Sequence, residues 1–290
     1  MKEIRFQGLE NLGIIEEGDD LPGKILEACR REKVEVEDGD VFVITSKVVS
    51  MYEGRVVELE EVEPSTRARA IARTTGMMPE MVQLILEESR VVAEIPVSRI
   101  GMDFVLGQAE DREEARKALE KIPSMLVTVV DGRICTSAGV DISNSPEGMA
   151  TLLPEDPDRS AKELREKLEK ETGRELAVII ADSELTFRGG STDIAIGCSG
   201  IQHAETKFGG KDLFGNPKFG GLDMTGDEIA GGAALLFGQT SENIPVVVAK
   251  GLEYRRGEGT LENSELVGKG LRKGILSGMK MKVLRLLPGD

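Results

Sequence analysis

The chain has 290 residues, of which 40% are hydrophobic and 31% are charged, as is typical of a globular protein with one large or two small domains. The formal net charge is −15 and 3% of residues are aromatic, which disfavours nucleic acid and anionic membranes as partners. No apolar run could cross a bilayer and no signal-peptide pattern occurs, so we expect a cytoplasmic protein. Three widely spaced cysteines (Cys29, Cys135 and Cys198) are typical of reduced thiols.

The first third of the chain alternates short apolar strands with amphipathic helices. The patterns predict a strand at 4–6, a helix at 22–32 and a buried strand at 41–44. The buried strand ends in Thr45-Ser46-Lys47, where small hydroxyl groups and a lysine suit a phosphate group. An ordinary polar turn is the alternative interpretation.

A hairpin in the middle of the chain presents a first carboxylate. The apolar run 125–130 and the run that starts at Arg133 flank Asp131-Gly132, a dipeptide typical of tight hairpin turns. The second strand leads into a polar turn that contains glycine. We therefore expect Asp141 and Asn144 to lie where a sheet ends.

A second carboxylate follows another strand. The unbroken apolar run 177–181 predicts a buried strand that presents Asp182 and Ser183 at its end, and we expect Asp141 and Asp182 to meet. Two carboxylates about 4 Å apart repel by roughly 4 kcal/mol at an effective dielectric constant of about 20, so one takes a proton or a cation lies between them. Carboxylate and hydroxyl oxygens suit a hard divalent ion. The alternative is that both aspartates are turn or helix-cap residues.

Several motifs follow one another in a fixed order over nearly the whole chain. They include the run 137–144, Leu152-Leu153-Pro154, the run 178–183 and Phe187-Arg188-Gly189. In this order they resemble the F420 gamma-glutamyl ligase family, the coenzyme F420-0:L-glutamate ligases.

The resemblance implies an α+β fold, mixed α/β with antiparallel sheets. Residues 1–290 would form a single unit with two intimately packed subdomains. Residues 1–95 with 240–290 would form the nucleotide side, and residues 96–239 would form the metal and substrate side.

The resemblance also implies a ligase that joins L-glutamate to coenzyme F420-0 through an amide bond. Transfer of the terminal phosphoryl group of GTP to a carboxylate would give an acyl phosphate, which the amino group of glutamate attacks. The implied cofactors are GTP as co-substrate, Mg²⁺ or Mn²⁺, and K⁺ as an optional further ion. The partners would be these small molecules and a second copy of the chain in a homodimer.

Carried onto matching positions, the resemblance implies a set of site residues. The metal ligands would be Asp141, Asp182, Ser183 and Gln239. Arg188 would act beside the two aspartates at the reaction centre, by steadying a phosphate or a substrate carboxylate. The nucleotide would be lined by Asn11, Leu12, Gly13, Ile14, Ser46, Lys47, Asn144, Phe237, Gly238, Gln239, Thr240, Ser241, Glu242, Asn243 and Ile244.

Two departures from the family pattern fall in the substrate and phosphate region. Met51 stands where family members usually have a lysine, and Glu184-Leu185-Thr186 stands where they usually have a Gly-Arg pair. Two alternatives therefore stay open. One is a ligase of the same fold that acts on a different carboxylate acceptor, and the other is a nucleotide- and metal-binding paralogue without catalysis.

Overall fold

Strands and helices alternate along the described part of the chain. The computed structural model describes residues 2–96, 106–107, 109, 111–130, 133–186, 190–238 and 242–260. The strands are β1 (Arg5–Leu9), β2 (Val41–Thr45), β3 (Val56–Glu58), β4 (Arg90–Ile95), β5 (Met125–Val130), β6 (Arg133–Thr136), β7 (Met149–Thr151), β8 (Ala177–Leu185), β9 (Ser191–Ser199), β10 (Glu205–Thr206), β11 (Leu222–Asp223) and β12 (Val246–Lys250). The helices are α1 (Leu21–Glu32), α2 (Ser46–Tyr52), α3 (Thr66–Thr75), α4 (Pro79–Glu88), α5 (Arg112–Lys121), α6 (Pro157–Thr172) and α7 (Thr225–Phe237), with short 3₁₀ turns at Leu59–Glu61 and Ser137–Gly139.

Five strands form the main sheet in the order β1-β12-β2-β8-β9. β2 and β8 are parallel, and the other neighbours are antiparallel. α1 and α6 pack on one face of the sheet and α7 packs on the other. β2 and the first half of β8 are unbroken apolar runs because both of their faces are buried.

A second region has its own apolar core. β4, β5 and β6 form an antiparallel sheet, β3 pairs with β7, and α3 and α4 cover a cluster that includes Met81, Ile85 and Leu126. The predicted hairpin is present, since β5 and β6 pair with Val130 opposite Arg133. Its turn, Asp131-Gly132, lies outside the described residues.

The predicted fold class is confirmed, because helices accompany sheets in which most strand pairs are antiparallel. The helix predicted at 22–32 is α1, and Asp20 caps it by accepting a 3.1 Å hydrogen bond from the Gly23 amide. The main sheet takes strands from both predicted subdomains, and the division into subdomains stays a prediction. None of the helices in the described ranges has the length and apolar character that a membrane crossing requires.

Candidate active site at one edge of the main sheet

The register of the main sheet places four strand positions in one row. Leu9 of β1 pairs with Val246 of β12, and Val246 pairs with Ile44 of β2. Ile44 in turn lies beside Ile180 of β8. The row marks the edge at which β1 and β2 end and β12 begins.

Four of the predicted site segments meet at this edge. Residues 11–14 leave β1 here, and residues 242–244 lead into β12. Ser46 and Lys47 follow β2 directly, as the first turn of α2. Asp182 lies two residues beyond the row on β8. Segments that are far apart in sequence therefore become neighbours because of strand order alone.

Asp182 is held by the first residue of α2. Ser46 Oγ donates a 2.5 Å hydrogen bond to Asp182 Oδ1. Burial raises the pKa of Asp182 to about 6; the Ser46 hydrogen bond opposes this shift and the charge of Asp193 adds to it. A carboxylate in these surroundings is stabilised by a proton or by a cation.

Asp141 lies in the turn after β6, where two backbone hydrogen bonds of 3.0 and 2.8 Å join it to Thr151. Its Oδ1 accepts a 2.8 Å hydrogen bond from the Ser143 amide, and its Oδ2 accepts from Ser143 Oγ and, at 3.0 Å, from Lys47 Nζ. Burial alone would raise the pKa of Asp141, but the Lys47 charge and the Ser143 hydrogen bonds outweigh it and lower the pKa. Asp141 is therefore an anion at neutral pH.

Consecutive residues of α2 connect the two aspartates. Ser46 binds Asp182, whereas Lys47 binds Asp141 and its charge also acts on Asp182. The structure thus brings Asp141 and Asp182 to the same end of α2. Their shared role as metal ligands stays a prediction.

Ser183 lies differently from its predicted place at a strand end. β8 does not stop at Ala181 but continues to Leu185, because it pairs with β9 as far as Ser191. Successive side chains of a strand project to opposite faces, so the Ser183 hydroxyl is on the other face from the Asp182 carboxylate. It lies opposite Asp193 and hydrogen bonds to that residue.

The predicted ligand set reaches beyond the described residues. Arg188, Gln239, Thr240 and Ser241 all lie outside them, so their roles stay predictions. Within the described ranges, no three His, Cys, Asp or Glu side chains cluster closely enough to hold a metal ion. The predicted set does not depend on such a cluster, because it combines two aspartates with serine and glutamine oxygens.

The residues predicted to line a nucleotide divide into core and surface positions. Leu12 packs in the core beneath α1, while Phe237 and Ile244 pack in the core beneath α7. Leu12 and Phe237 are each 6% exposed and can meet a ligand only through their backbone, whereas Ile244 is half-buried. Gly238 directly follows α7. The exposed members of the set are Asn11, Gly13, Ile14, Asn144, Glu242 and Asn243.

Backbone strain concentrates around this edge. Six non-glycine residues of the described chain have positive φ, and Lys33, at the end of α1, is the one that lies elsewhere. A left-handed residue other than glycine costs about 1–2 kcal/mol, and such strain is typical of ligand sites. The other five lie in or beside the predicted site segments: Asn11, Ser137, Ala138, Asn144 and Asn243.

A further buried acid, which the sequence pattern did not indicate, lies on the same face of β8 as Asp182. Glu184 is 7% exposed, and its Oε2 accepts hydrogen bonds from Thr136 N at 3.0 Å and Thr136 Oγ1 at 3.2 Å. Burial raises the pKa of Glu184 to about 7, although the Thr136 amide opposes the shift. The signal was an acid two residues after Asp182, and it was missed because the strand was predicted to end before it.

Comparisons with known proteins show the family of the chain. The model of the F420-0:gamma-glutamyl ligase family matches residues 10–251. A relative from Archaeoglobus fulgidus, named coenzyme F420:L-glutamate ligase, is 39% identical over 255 residues, which cover 88% of this chain and 90% of the relative. Proteins of the same name from Methanothermobacter thermautotrophicus (35% over 252 residues; 87% and 90%) and Methanosarcina mazei (35% over 279 residues; 93% and 98%) are also similar. The chain therefore belongs to the F420-0:gamma-glutamyl ligase family.

Proposed function

We propose that the chain is a GTP- and divalent-metal-dependent ligase that adds L-glutamate to coenzyme F420-0 through an acyl phosphate. Its family and relatives make it a ligase that forms carbon–nitrogen bonds and indicate coenzyme F420:L-glutamate ligase activity. The observation that carries the finer proposal is the link from Ser46 to Asp182 and from Lys47 to Asp141 at one sheet edge.

The residues at this edge fit a divalent cation. Asp141 is anionic, and Asp182 has a raised pKa because it is buried, so a nearby cation would offset the cost of its charge. Asp141 and Asp182 would hold Mg²⁺ or Mn²⁺ together with Gln239 and an oxygen of Ser183, with K⁺ as an optional further ion. When bound, the metal would neutralise charge on the phosphoryl group.

The chain's own residues would bind and orient the substrates. Ser46 and Lys47 would hold the phosphates of GTP while an acceptor carboxylate oxygen attacks the terminal phosphorus and GDP leaves. The deprotonated amine of glutamate would then attack the acyl carbon, forming the amide as inorganic phosphate leaves. These two reaction steps need no side-chain nucleophile, which agrees with the burial of His203 and of all three cysteines.

The test is incubation of the purified chain with GTP, Mn²⁺, L-glutamate and coenzyme F420-0. We expect the glutamylated coenzyme and GDP to form in equal amounts, each requiring all four components. Asp141→Asn should abolish product without unfolding the chain. GDP release that does not depend on the coenzyme precursor, with no product by mass spectrometry, would contradict the proposal.

A second candidate function keeps this chemistry and changes the acceptor. Glu184 is buried near Asp182 at a position where the family pattern given above has a Gly-Arg pair, so an acidic side chain replaces a basic one. This change disfavours an anionic group of the acceptor at that point. A panel of carboxylates assayed for acceptor-dependent GDP would favour this candidate if another acid were used and coenzyme F420-0 were refused.

We further propose that the chain forms a homodimer. β10 and β11 carry an arm, residues 207–221, on which Leu213, Phe214 and Phe219 are 100%, 89% and 91% exposed. Exposed apolar side chains grouped in this way are typical of protein contacts. Light scattering after size-exclusion chromatography should give twice the mass of 31.4 kDa, and a monomer at micromolar concentration would contradict the proposal.

A further inference from the structure

Lys47 already provides a positive charge at Asp141. Its Nζ lies 3.0 Å from Asp141 Oδ2 and 3.4 Å from Ser145 Oγ, and its side chain is 23% exposed. Ser143 donates its amide to Oδ1 and its hydroxyl to Oδ2, so Oδ2 has two donors. A cation that binds Asp141 Oδ2 must displace one of them, and repulsion between the two positive charges favours displacement of Lys47.

The same ammonium also acts on the second aspartate. Lys47 follows Ser46, which binds Asp182, and the Lys47 charge attracts the Asp182 carboxylate. One lysine thus balances part of the charge of both acids. A divalent ion placed between them would repel this ammonium at short range.

We propose that Lys47 is an exchangeable counter-ion, which competes with the divalent metal for Asp141 and leaves it for the phosphates of the nucleotide. The inference rests on the proposed function for the identity of these two ligands. A lysine is a point charge on a flexible four-carbon stem, so it can move between a carboxylate and a phosphate. Because each ligand favours the state in which Lys47 has left Asp141, metal and nucleotide bind with positive coupling.

The first experiment measures Mn²⁺ binding to the full chain without nucleotide, by titration calorimetry and by the electron paramagnetic resonance signal of free Mn²⁺. Lys47→Met should bind Mn²⁺ about tenfold more tightly than the wild type, within the usual range of coupling between sites. Lys47→Arg keeps the charge and should resemble the wild type. Lys207→Met, which removes a lysine paired with Asp223, is the control for net charge.

The second experiment measures binding of a fluorescent GTP analogue in the presence of EDTA. We expect Lys47→Met to lose at least about tenfold in affinity, because the nucleotide loses the cation that neutralises its phosphates when metal is absent. If the methionine variant folds poorly, both measurements are repeated with Lys47→Gln, whose side chain is polar like that of lysine.

The outcomes separate the two proposals. The counter-ion inference alone would be overturned if Lys47→Met bound Mn²⁺ no more tightly than the wild type while Asp141→Asn bound it more weakly. If Asp141→Asn and Asp182→Asn bind Mn²⁺ as the wild type does, the metal site of the proposed function fails instead.

Discussion

The two ends of β2 hold a buried and a half-buried carboxylate in opposite ways. Asp40, just before β2, is 3% exposed and accepts hydrogen bonds from Lys250 Nζ at 2.5 Å and from the Glu37 amide at 2.8 Å. Asp182, beside the other end of β2, is bonded by the Ser46 hydroxyl and has a raised pKa. The charge of Asp40 is already balanced within the fold by Lys250, whereas Asp182 has a hydroxyl partner and a shifted pKa and is a candidate for ligand chemistry.

The largest expected effect comes from neutralising Asp182, the acid at the end of β2 that lies in the candidate active site. Asp182→Asn should lower the rate of amide formation about a thousandfold, because Asp182 is a proposed ligand of the metal and such a ligand is worth several kcal/mol in the transition state. The unfolding free energy of the metal-free protein should not fall, since an amide replaces a buried carboxylate. Single-turnover assays and urea melts measure the two quantities.

Asp40→Asn is the matched control at the other end of β2. It should keep the rate and lose stability, because Lys250 would lose its buried carboxylate partner and keep only the exposed Glu37. Equal losses of rate in both variants would remove the distinction between the two ends.

The next effect concerns the Lys250 ion pair. Lys250→Met leaves the Asp40 carboxylate buried and unpaired, so we expect the unfolding free energy to fall by about 3 kcal/mol. Lys250→Arg should retain most of the stability. Denaturant melts of the three proteins test this, and a methionine variant as stable as the wild type would show that water replaces the lysine.

The pH dependence of this pair has a definite sign. Burial lowers the pKa of Lys250, but its hydrogen bonds to Asp40 and Glu37 outweigh burial and raise the pKa above 10.5. The stabilisation is therefore fully present below the unfolded pKa and is lost as pH rises through the folded pKa. The stability difference between wild type and Lys250→Met should stay constant from neutral pH to about pH 10 and shrink above it.

A smaller effect is expected from the residue that joins β8 to β6. Glu184→Ala removes the acceptor of both Thr136 hydrogen bonds and frees the strand that leads to the Asp141 turn. Loss of such a supporting contact should cost about tenfold in kcat/KM and in Mn²⁺ affinity. Thr136→Val keeps the backbone donor and should lose less kcat/KM and Mn²⁺ affinity than Glu184→Ala. An equal or larger loss would show that the Thr136 hydroxyl carries the effect.

The smallest expected effect separates backbone from side chain at Asn144, whose φ is 49°. Asn144→Ala should lower the unfolding free energy by about 1 kcal/mol, because alanine is strained in the left-handed region. Asn144→Gly should keep the stability and weaken GTP binding if the side chain contacts the nucleotide. Glycine and alanine variants with the same GTP affinity as the wild type would restrict Asn144 to a turn role.

The sequence predicted what local patterns determine. The hairpin before Asp141 follows from Asp131-Gly132 between two apolar runs, and the helix at 22–32 follows from its apolar spacing and proline. β8 was predicted too short because its last four residues are polar or mixed and owe their strand geometry to β9. The faces on which Ser183 and Glu184 lie therefore could not be predicted, because they depend on strand pairing, which the sequence does not state.

Long-range contacts were beyond sequence reasoning for the same reason. Lys47 and Asp141 are 94 residues apart, and Ser46 and Asp182 are 136 apart. Their residue types indicated that they could bind a phosphate group and a metal ion. Only the order of the strands in the sheet brings them to one edge. Leu12 and Phe237 belong to the predicted site segments, and their side chains pack in the core.

The burial of every thiol has a practical consequence for experiments on this chain. Cys29, Cys135 and Cys198 are all buried, and burial raises the pKa of Cys29 to about 11 and also raises that of Cys135. Maleimides react with exposed thiolates, so the native protein should resist labelling near neutral pH. Leu213→Cys would then carry a fluorophore or spin label at a single known position, with no native cysteine to remove first.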